Sequence, residues 1–164
     1  MRDRAAPLFR NRYRIPSSRL KGWDYRRPGT YFVTICVLGR ERCLSEIIDG
    51  EVVLSAQGEI VAREWLRLPV TYPRARLDAW IIMPDHFHGL LILEPEAGEA
   101  ASLGTIIGDF KSRATKDIRM SGRRHFAWQE RFDDHVVTNL KELERIRNYI
   151  RQNPKRWQIK SGKP

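Results

Sequence analysis

Four side chains in this sequence are of types, and at spacings, that could do chemistry together. His86-Phe87-His88 opens a strand-like run, in which side chains alternate faces, so both imidazoles lie on one face and Phe87 on the other. Two imidazoles so placed can grip a metal ion as a two-jawed clamp, and the same spacing also serves histidines in other roles. Asp85, after Pro84, reads either as a partner of the neighbouring imidazole or as a turn residue. Tyr149 and Asn153 stand four residues apart in the last helix-like segment, which sets a phenol and an amide oxygen on one flank. Arg145 and Arg156 share that side, where they would hold a phosphate or favour a phenolate. A phenol ionises near pH ~10, so it attacks poorly at neutral pH unless its proton is removed or its anion stabilised. The sequence offers no clear general base. Considered alone, a boundary tyrosine is also an ordinary packing residue, and Asn153 before Pro154 is also an ordinary helix stop.

The elements that must position these groups follow from local patterns. Thr30–Leu38, rich in β-branched and aromatic residues after Pro28-Gly29, predicts a strand buried on both faces. Asp49-Gly50, between Ile47-Ile48 and Val52-Val53-Leu54, predicts a tight hairpin. Ser55 then caps a helix carrying Ile60, Val61, Trp65 and Leu68 until Pro69 stops it. Leu77–Met83 and His86–Leu93 are the strongest strand pair, followed by a polar loop from Glu94 to Ala101. Ser102 caps a second helix with Leu103, Ile106, Ile107, Phe110, Ala114 and Ile118 in one apolar stripe. Ser121–Arg124 is a basic turn, His125–Val137 alternates like a strand, and Asn139 opens a final helix that buries Leu140, Leu143, Ile146 and Ile150. Strands and helices without a repeated βα rhythm indicate an α+β fold, with helices packed on an antiparallel sheet.

Composition narrows the partners. The 164 residues amount to one domain. Thirty Lys and Arg against twenty acids give a net charge of +10, with a pI near 10.1, which points to polyanions. The surplus is uneven. Residues 1–27 hold nine Lys or Arg against Asp3 and Asp24, and residues 141–160 hold seven against Glu142 and Glu144, whereas residues 40–110 hold six against twelve acids. Arg outnumbers Lys, and its guanidinium forks onto phosphate. No run reaches the ~18 apolar residues of a membrane helix and no apolar signal core follows Met1, so a cytoplasmic protein without membrane contact is expected. Cys36 and Cys43 lack the spacing of a metal site and read as reduced thiols.

Taken together, the sequence closely resembles the single-tyrosine HUH transposases, and within them the REP-associated tyrosine transposases. The resemblance runs from about Gly29 to Trp157. It rests on Gly29-Thr30-Tyr31-Phe32-Val33-Thr34, Trp65, Met83-Pro84-Asp85-His86-Phe87-His88-Gly89, Phe110-Lys111-Ser112, Trp128-Gln129 with Phe132, Asp134-His135, and Tyr149-Ile150 followed by Asn153-Pro154. Asp85 departs from the Asn that such proteins often carry, and the long basic segment before Pro28 matches no motif.

The resemblance implies the HUH endonuclease fold, a ferredoxin-like or RRM-like antiparallel sheet with helices packed on it. It implies a basic N-terminal arm over residues 1–28, one transposase domain over 29–160 and a tail over 161–164. It implies that His86, His88 and Asn153 hold a divalent Mg²⁺ or Mn²⁺, and that Tyr149 attacks a phosphodiester of single-stranded DNA beside a hairpin. The product would be a covalent 5′-phosphotyrosine and a free 3′-hydroxyl, the starting point for strand transfer. A monomer is favoured, a homodimer being the other possibility, in a prokaryotic, nucleoid-associated setting. The expected DNA contacts are Arg12, Arg14, Arg26, Arg27, Lys111, Lys116, Arg119, Arg123, Arg124, Arg145 and Arg156, with Tyr13, Trp23 or Tyr25 stacking on bases. Asp134 and His135 also match, His135 as a site residue or as a structural hydrogen-bonding group. The alternative on the same fold is a non-catalytic module that binds hairpin DNA or RNA.

Overall fold

The structure is a computed structural model that describes residues 19–96 and 99–162, together with the backbone of two short paired strands, β1 (Leu8–Phe9) and β2 (Arg12–Tyr13). Its centre is a four-stranded antiparallel sheet in the order β6-β7-β3-β8, made of β3 (Gly29–Cys36), β6 (Ala75–Ile82), β7 (His86–Leu93) and β8 (Asp133–Val137). Between them lie the hairpin β4 (Ser45–Ile48) and β5 (Glu51–Leu54), then α1 (Ala56–Leu66) and the single turn α2 (Leu68–Thr71). After β7 come α3 (Leu103–Met120) and, past β8, α4 (Leu140–Lys160). This is the α+β arrangement expected.

The pleat divides the sheet into two faces. Tyr31, Val33 and Ile35 of β3 and Phe87, Leu91 and Leu93 of β7 are buried against Val61, Ala62 and Trp65 of α1 and against the α3 stripe. All six predicted stripe residues of α3 are buried. The opposite face carries Phe32 and Leu90, against which Leu143, Ile146 and Ile150 of α4 pack in a second, smaller cluster. His86 and His88 belong to this second face, opposite Cys36 and Thr34 across the ladder.

Local chemistry accounts for the boundaries. Ser55, Ser102 and Asn139 accept the backbone N–H of Gly58, Thr105 and Glu142, each such cap contributing about 1 kcal/mol. Asp49 and Gly50 both take positive φ, at 51° and 75°, the pair of values a type I′ hairpin turn requires. Gly89 has a packing role. A Cβ there would sit 2.7 Å from the Trp65 ring and 2.8 Å from the Phe87 ring, so its absence lets Trp65 press on the sheet directly behind the histidines.

Several expectations are corrected. The strand over Thr30–Leu38 is buried fully on one face only, since Phe32 and Thr34 are partly exposed. Only Asp133–Val137 of the His125–Val137 run is a strand. Phe126 and Trp128 alternate as strand residues would, but they plug the core from an irregular segment that touches the strands through one bridge, Val37 to Trp128. Pro69 sits in the first turn of α2, where its missing N–H is harmless. Leu140, the first residue of α4, is 79% exposed. Pro154 does not end α4, which continues to Lys160. An interior proline costs about 3 kcal/mol. Here the burial of Asn153 and Pro154, with Trp157 against the His86 ring, opposes that cost.

Candidate active site

The two imidazoles are 7% and 5% exposed, and their Nε2 atoms face each other at 3.1 Å. Each ring is held from behind. The Nδ1 of His86 lies 2.5 Å from Asp85 Oδ1, and the Nδ1 of His88 lies 2.8 Å from Thr34 Oγ1. A carboxylate only accepts, so the His86 proton sits on Nδ1 and its Nε2 presents a lone pair. His88 then has two ways to satisfy its neighbours. It donates from Nε2 to His86 while the Thr34 hydroxyl donates to Nδ1, or it donates from Nδ1 to Thr34 and turns a second lone pair onto the same point. The second arrangement is a cation site whose outer hydrogen bonds orient both ligands.

Charge supports the same reading. Burial depresses the pKa of His88 to about 3, with His86 and Arg40 adding to the effect. Burial also lowers the pKa of His86, against the pull of Asp85. Both rings are therefore neutral at physiological pH, as metal ligation requires. Among the described residues no group of three or more His, Cys, Asp or Glu could hold a metal. A third protein ligand must come from another donor type, and the amide of Asn153, 8% exposed, lies in the wall of the same cavity. The residues present fit a divalent cation.

That cavity, of about 380 Å³, also brings in Tyr149 and Arg156. Helix α4 thus delivers the phenol and the amide to the imidazoles as their spacing indicated. The Tyr149 ring lies 5.4 Å from that of His88, with the Arg156 guanidinium 5.7 Å from the phenol ring. Phe32 stacks on His88 at 5.4 Å and meets Tyr149 edge-on, while Trp157 lies 5.9 Å from the His86 ring. A larger groove, of about 980 Å³, runs beside α4 over Phe32 and Ile146, past Arg145, Asn148 and Gln152, and meets the cavity at Tyr149 and Arg156.

Thr34, Phe32, Arg40, Trp157 and Lys160 also border or brace this site, and none was singled out from sequence for that role. Thr34 and His88 are 54 positions apart and meet only through strand register, so no local pattern could reveal them. Trp157 lies past Pro154, where the helix could also have stopped.

The expected DNA contacts are scattered. Arg145 is exposed, 3.6 Å from Glu142. Lys111 is tied internally, its ammonium donating to the Gln129 and Glu130 carbonyls while burial lowers its pKa. Arg119 donates to the Phe126 carbonyl, and with Lys116 it borders a shallow groove on α3, across the sheet from Tyr149. Arg26 pairs with Asp24, Arg27 lies over Trp23, Arg123 pairs with Glu41, and Arg124 is exposed. The side chain of Arg12, that of Tyr13 and the whole of Arg14 lie outside the described residues. Trp23 and Tyr25 are partly buried and pack against the core, and Trp23 donates to the Tyr31 hydroxyl. His135 holds Glu142 at 2.6 Å. The Thr138 backbone N–H and His135 together pull the Glu142 pKa down to about 2. Asp134 is buried, 3.4 Å from Arg19.

Comparison with known proteins finds similar sequences and a similar solved structure. An uncharacterized protein of Haemophilus influenzae is 31% identical over 160 residues, covering 87% of this chain and 89% of its own. A REP-associated tyrosine transposase of Escherichia coli is 26% identical over 133 residues, covering 79% of this chain and 68% of its own. Among solved structures, a REP-associated tyrosine transposase bound to a REP hairpin superposes with a TM-score of 0.64 at 22% identity, over 85% of this chain and 73% of the other. No family model matches the sequence. No helix among the described residues is long and apolar enough to cross a membrane.

Proposed function

The chain belongs to one family with the Haemophilus influenzae protein and is similar in sequence and fold to REP-associated tyrosine transposases, and from that premise we propose that it is a metal-dependent transposase of single-stranded DNA. The observation that carries the reading is the meeting, in one cavity of one chain, of two converging imidazole Nε2 atoms, a buried amide and a solvent-accessible phenol. A binding module needs a basic surface; it has no use for a phenol set against a cation clamp.

In this reading His86, His88 and Asn153 hold Mg²⁺ or Mn²⁺. That ion, when bound, polarises a phosphodiester and offsets the charge that develops on it. The other steps belong to the chain. The strand lies in the groove beside α4, its backbone met by Arg145 and Arg156. Tyr149 Oη attacks phosphorus, the bond from phosphorus to the 3′ oxygen breaks, and the phenolic proton is balanced by the proton gained at the departing 3′ hydroxyl. A 5′-phosphotyrosine remains, and a second 3′ hydroxyl can reverse the step to join strands. Arg156, over the phenol ring, and Lys160, in the cavity wall, supply positive charge for the phenolate during attack. The substrate is DNA beside a hairpin, a reading supported by the similar transposase solved bound to a REP hairpin. The phenol and the imidazoles meet within one chain, which supports a monomer with Tyr149 acting in cis.

The test is incubation with Mn²⁺ and labelled single-stranded oligonucleotides bearing hairpins, followed by denaturing electrophoresis. A slow protein-DNA band that disappears in Tyr149→Phe, while hairpin affinity persists, is expected. Hairpin binding without any adduct would favour the non-catalytic hairpin DNA or RNA module.

A further inference from the structure

Arg40 borders the cavity from a backbone conformation that few side chains adopt. It ends the short 3-10 turn Leu38–Arg40 with φ of 56°, directly after Gly39 at 65°. A non-glycine residue in the left-handed region is strained and persists only where its surroundings fix it. Here they do so at several points. The N–H of Val37 donates to the Asp85 carbonyl at 2.9 Å, and the Arg40 N–H donates to the Val37 carbonyl at 3.0 Å. The guanidinium then forms an ion pair with Asp85, its Nε 3.1 Å from Oδ2, and donates from Nη1 to Cys36 Sγ at 2.8 Å. Cys36 is in turn the cross-strand partner of His86.

We propose that Arg40 is a positioning residue for the metal clamp, acting through Asp85 on His86. The carboxylate of Asp85 is divided, Oδ1 taking the His86 Nδ1–H and Oδ2 taking Arg40. A hydrogen bond on one oxygen and a cation beside the other fix the rotation of the carboxylate, and that rotation aims the His86 lone pair at His88. An amide at position 85 could not do this, because it carries no charge for Arg40 and its NH₂ would face either the imidazole N–H or the guanidinium. Asp85 and Arg40 are thus a matched pair. Arg40 also offsets a buried negative charge that would otherwise face an incoming phosphodiester. With Arg40 removed, the carboxylate is free to turn, and His86 samples the form protonated on Nε2, which cannot bind a cation.

This inference rests on His86 being a metal ligand, so two readouts separate the claims. Ring ¹⁵N spectra of the metal-free, DNA-free protein report which nitrogen of His86 carries the proton, and Mn²⁺ titration of the same samples reports affinity. In the wild type, His86 is protonated on Nδ1. Arg40→Met is expected to mix the two tautomers and to weaken Mn²⁺ binding by roughly 10- to 100-fold, the usual effect of losing an outer partner of a metal ligand. Arg40→Lys, which keeps a cation for Asp85 and serves if the Met variant folds poorly, is expected to fall between. Asp85→Asn combined with Arg40→Met should cost no more than either change alone. An unchanged His86 tautomer with unchanged Mn²⁺ affinity in both Arg40 variants overturns the proposal, even if DNA cleavage falls. A wild type that binds no Mn²⁺ overturns the metal reading, while the spectra still decide whether Arg40 sets the ring.

Discussion

Phe32 meets the Tyr149 ring edge-on, with centroids 6.2 Å apart, and its opposite contact is a stack on the His88 imidazole. One side chain of the central strand therefore sets the spacing between the nucleophile and the clamp. Small errors in such spacing are expensive in rate. Phe32→Ala is expected to slow adduct formation by about 100-fold while hairpin affinity changes little, and Phe32→Leu to slow it less. Single-turnover cleavage against hairpin binding is the measurement. Equal losses in both would mean that Phe32 serves binding and not alignment.

Asn153→Ala should weaken Mn²⁺ binding, whereas Asn153→Asp, with a charged oxygen in the same place, should keep or tighten it. Titration of the DNA-free protein reads the difference. An alanine variant that binds Mn²⁺ as the wild type does would remove Asn153 from the ligand set.

Stability should depend on the pH of titration of the buried imidazoles. His88 has its pKa depressed to about 3 in the fold, against about 6.5 when unfolded. The unfolded chain therefore binds more protons between these values, and stability falls as pH drops from about 6.5, levelling near 3. His86, also depressed by burial, adds in the same direction. Thermal unfolding of His88→Gln across this range should show a shallower loss than the wild type. Mn²⁺ affinity should likewise persist to pH values where free imidazole is already protonated.

Gly89→Ala forces a methyl into the rings of Trp65 and Phe87. A loss of roughly 1–3 kcal/mol is expected, as for other overpacked cores. Denaturant unfolding gives the value, and the accompanying shift of β7 should weaken Mn²⁺ binding even though the substitution lies on the opposite face of the sheet from the imidazoles. Unchanged stability would mean that Trp65 can withdraw without moving the strand.

Much of this was legible along the chain because its causes are local. The capping residues, the α3 stripe, the Asp49-Gly50 turn, the shared face of His86 and His88 and the shared flank of Tyr149 and Asn153 all depend on residues within a few positions. What escaped depends on distant ones. Phe126 and Trp128 imitate a strand because alternation reports burial and not hydrogen bonding. The helix stop that Asn153-Pro154 could have marked is absent because tertiary burial outweighs a local penalty. Thr34 and Arg40 became visible only when strand register and a strained turn brought them to the imidazoles. Lys111, counted as a cation for DNA, also holds two carbonyls of the segment 127–130, a contact no local pattern shows.

The reactive set is divided between two bodies, the imidazoles on the sheet and the phenol and amide on α4. The sheet is anchored by the large core beneath α1 and α3, whereas α4 rests on the small cluster around Leu90, Ile146 and Ile150. Such unequal anchoring lets one element detach before the rest unfolds. The molecule should therefore possess a folded but incompetent state, in which the strands are intact and the helix has lifted. On warming, the capacity to form the DNA adduct would decline ahead of the global transition, and amide exchange along α4 would measure how much of the population is ready to react.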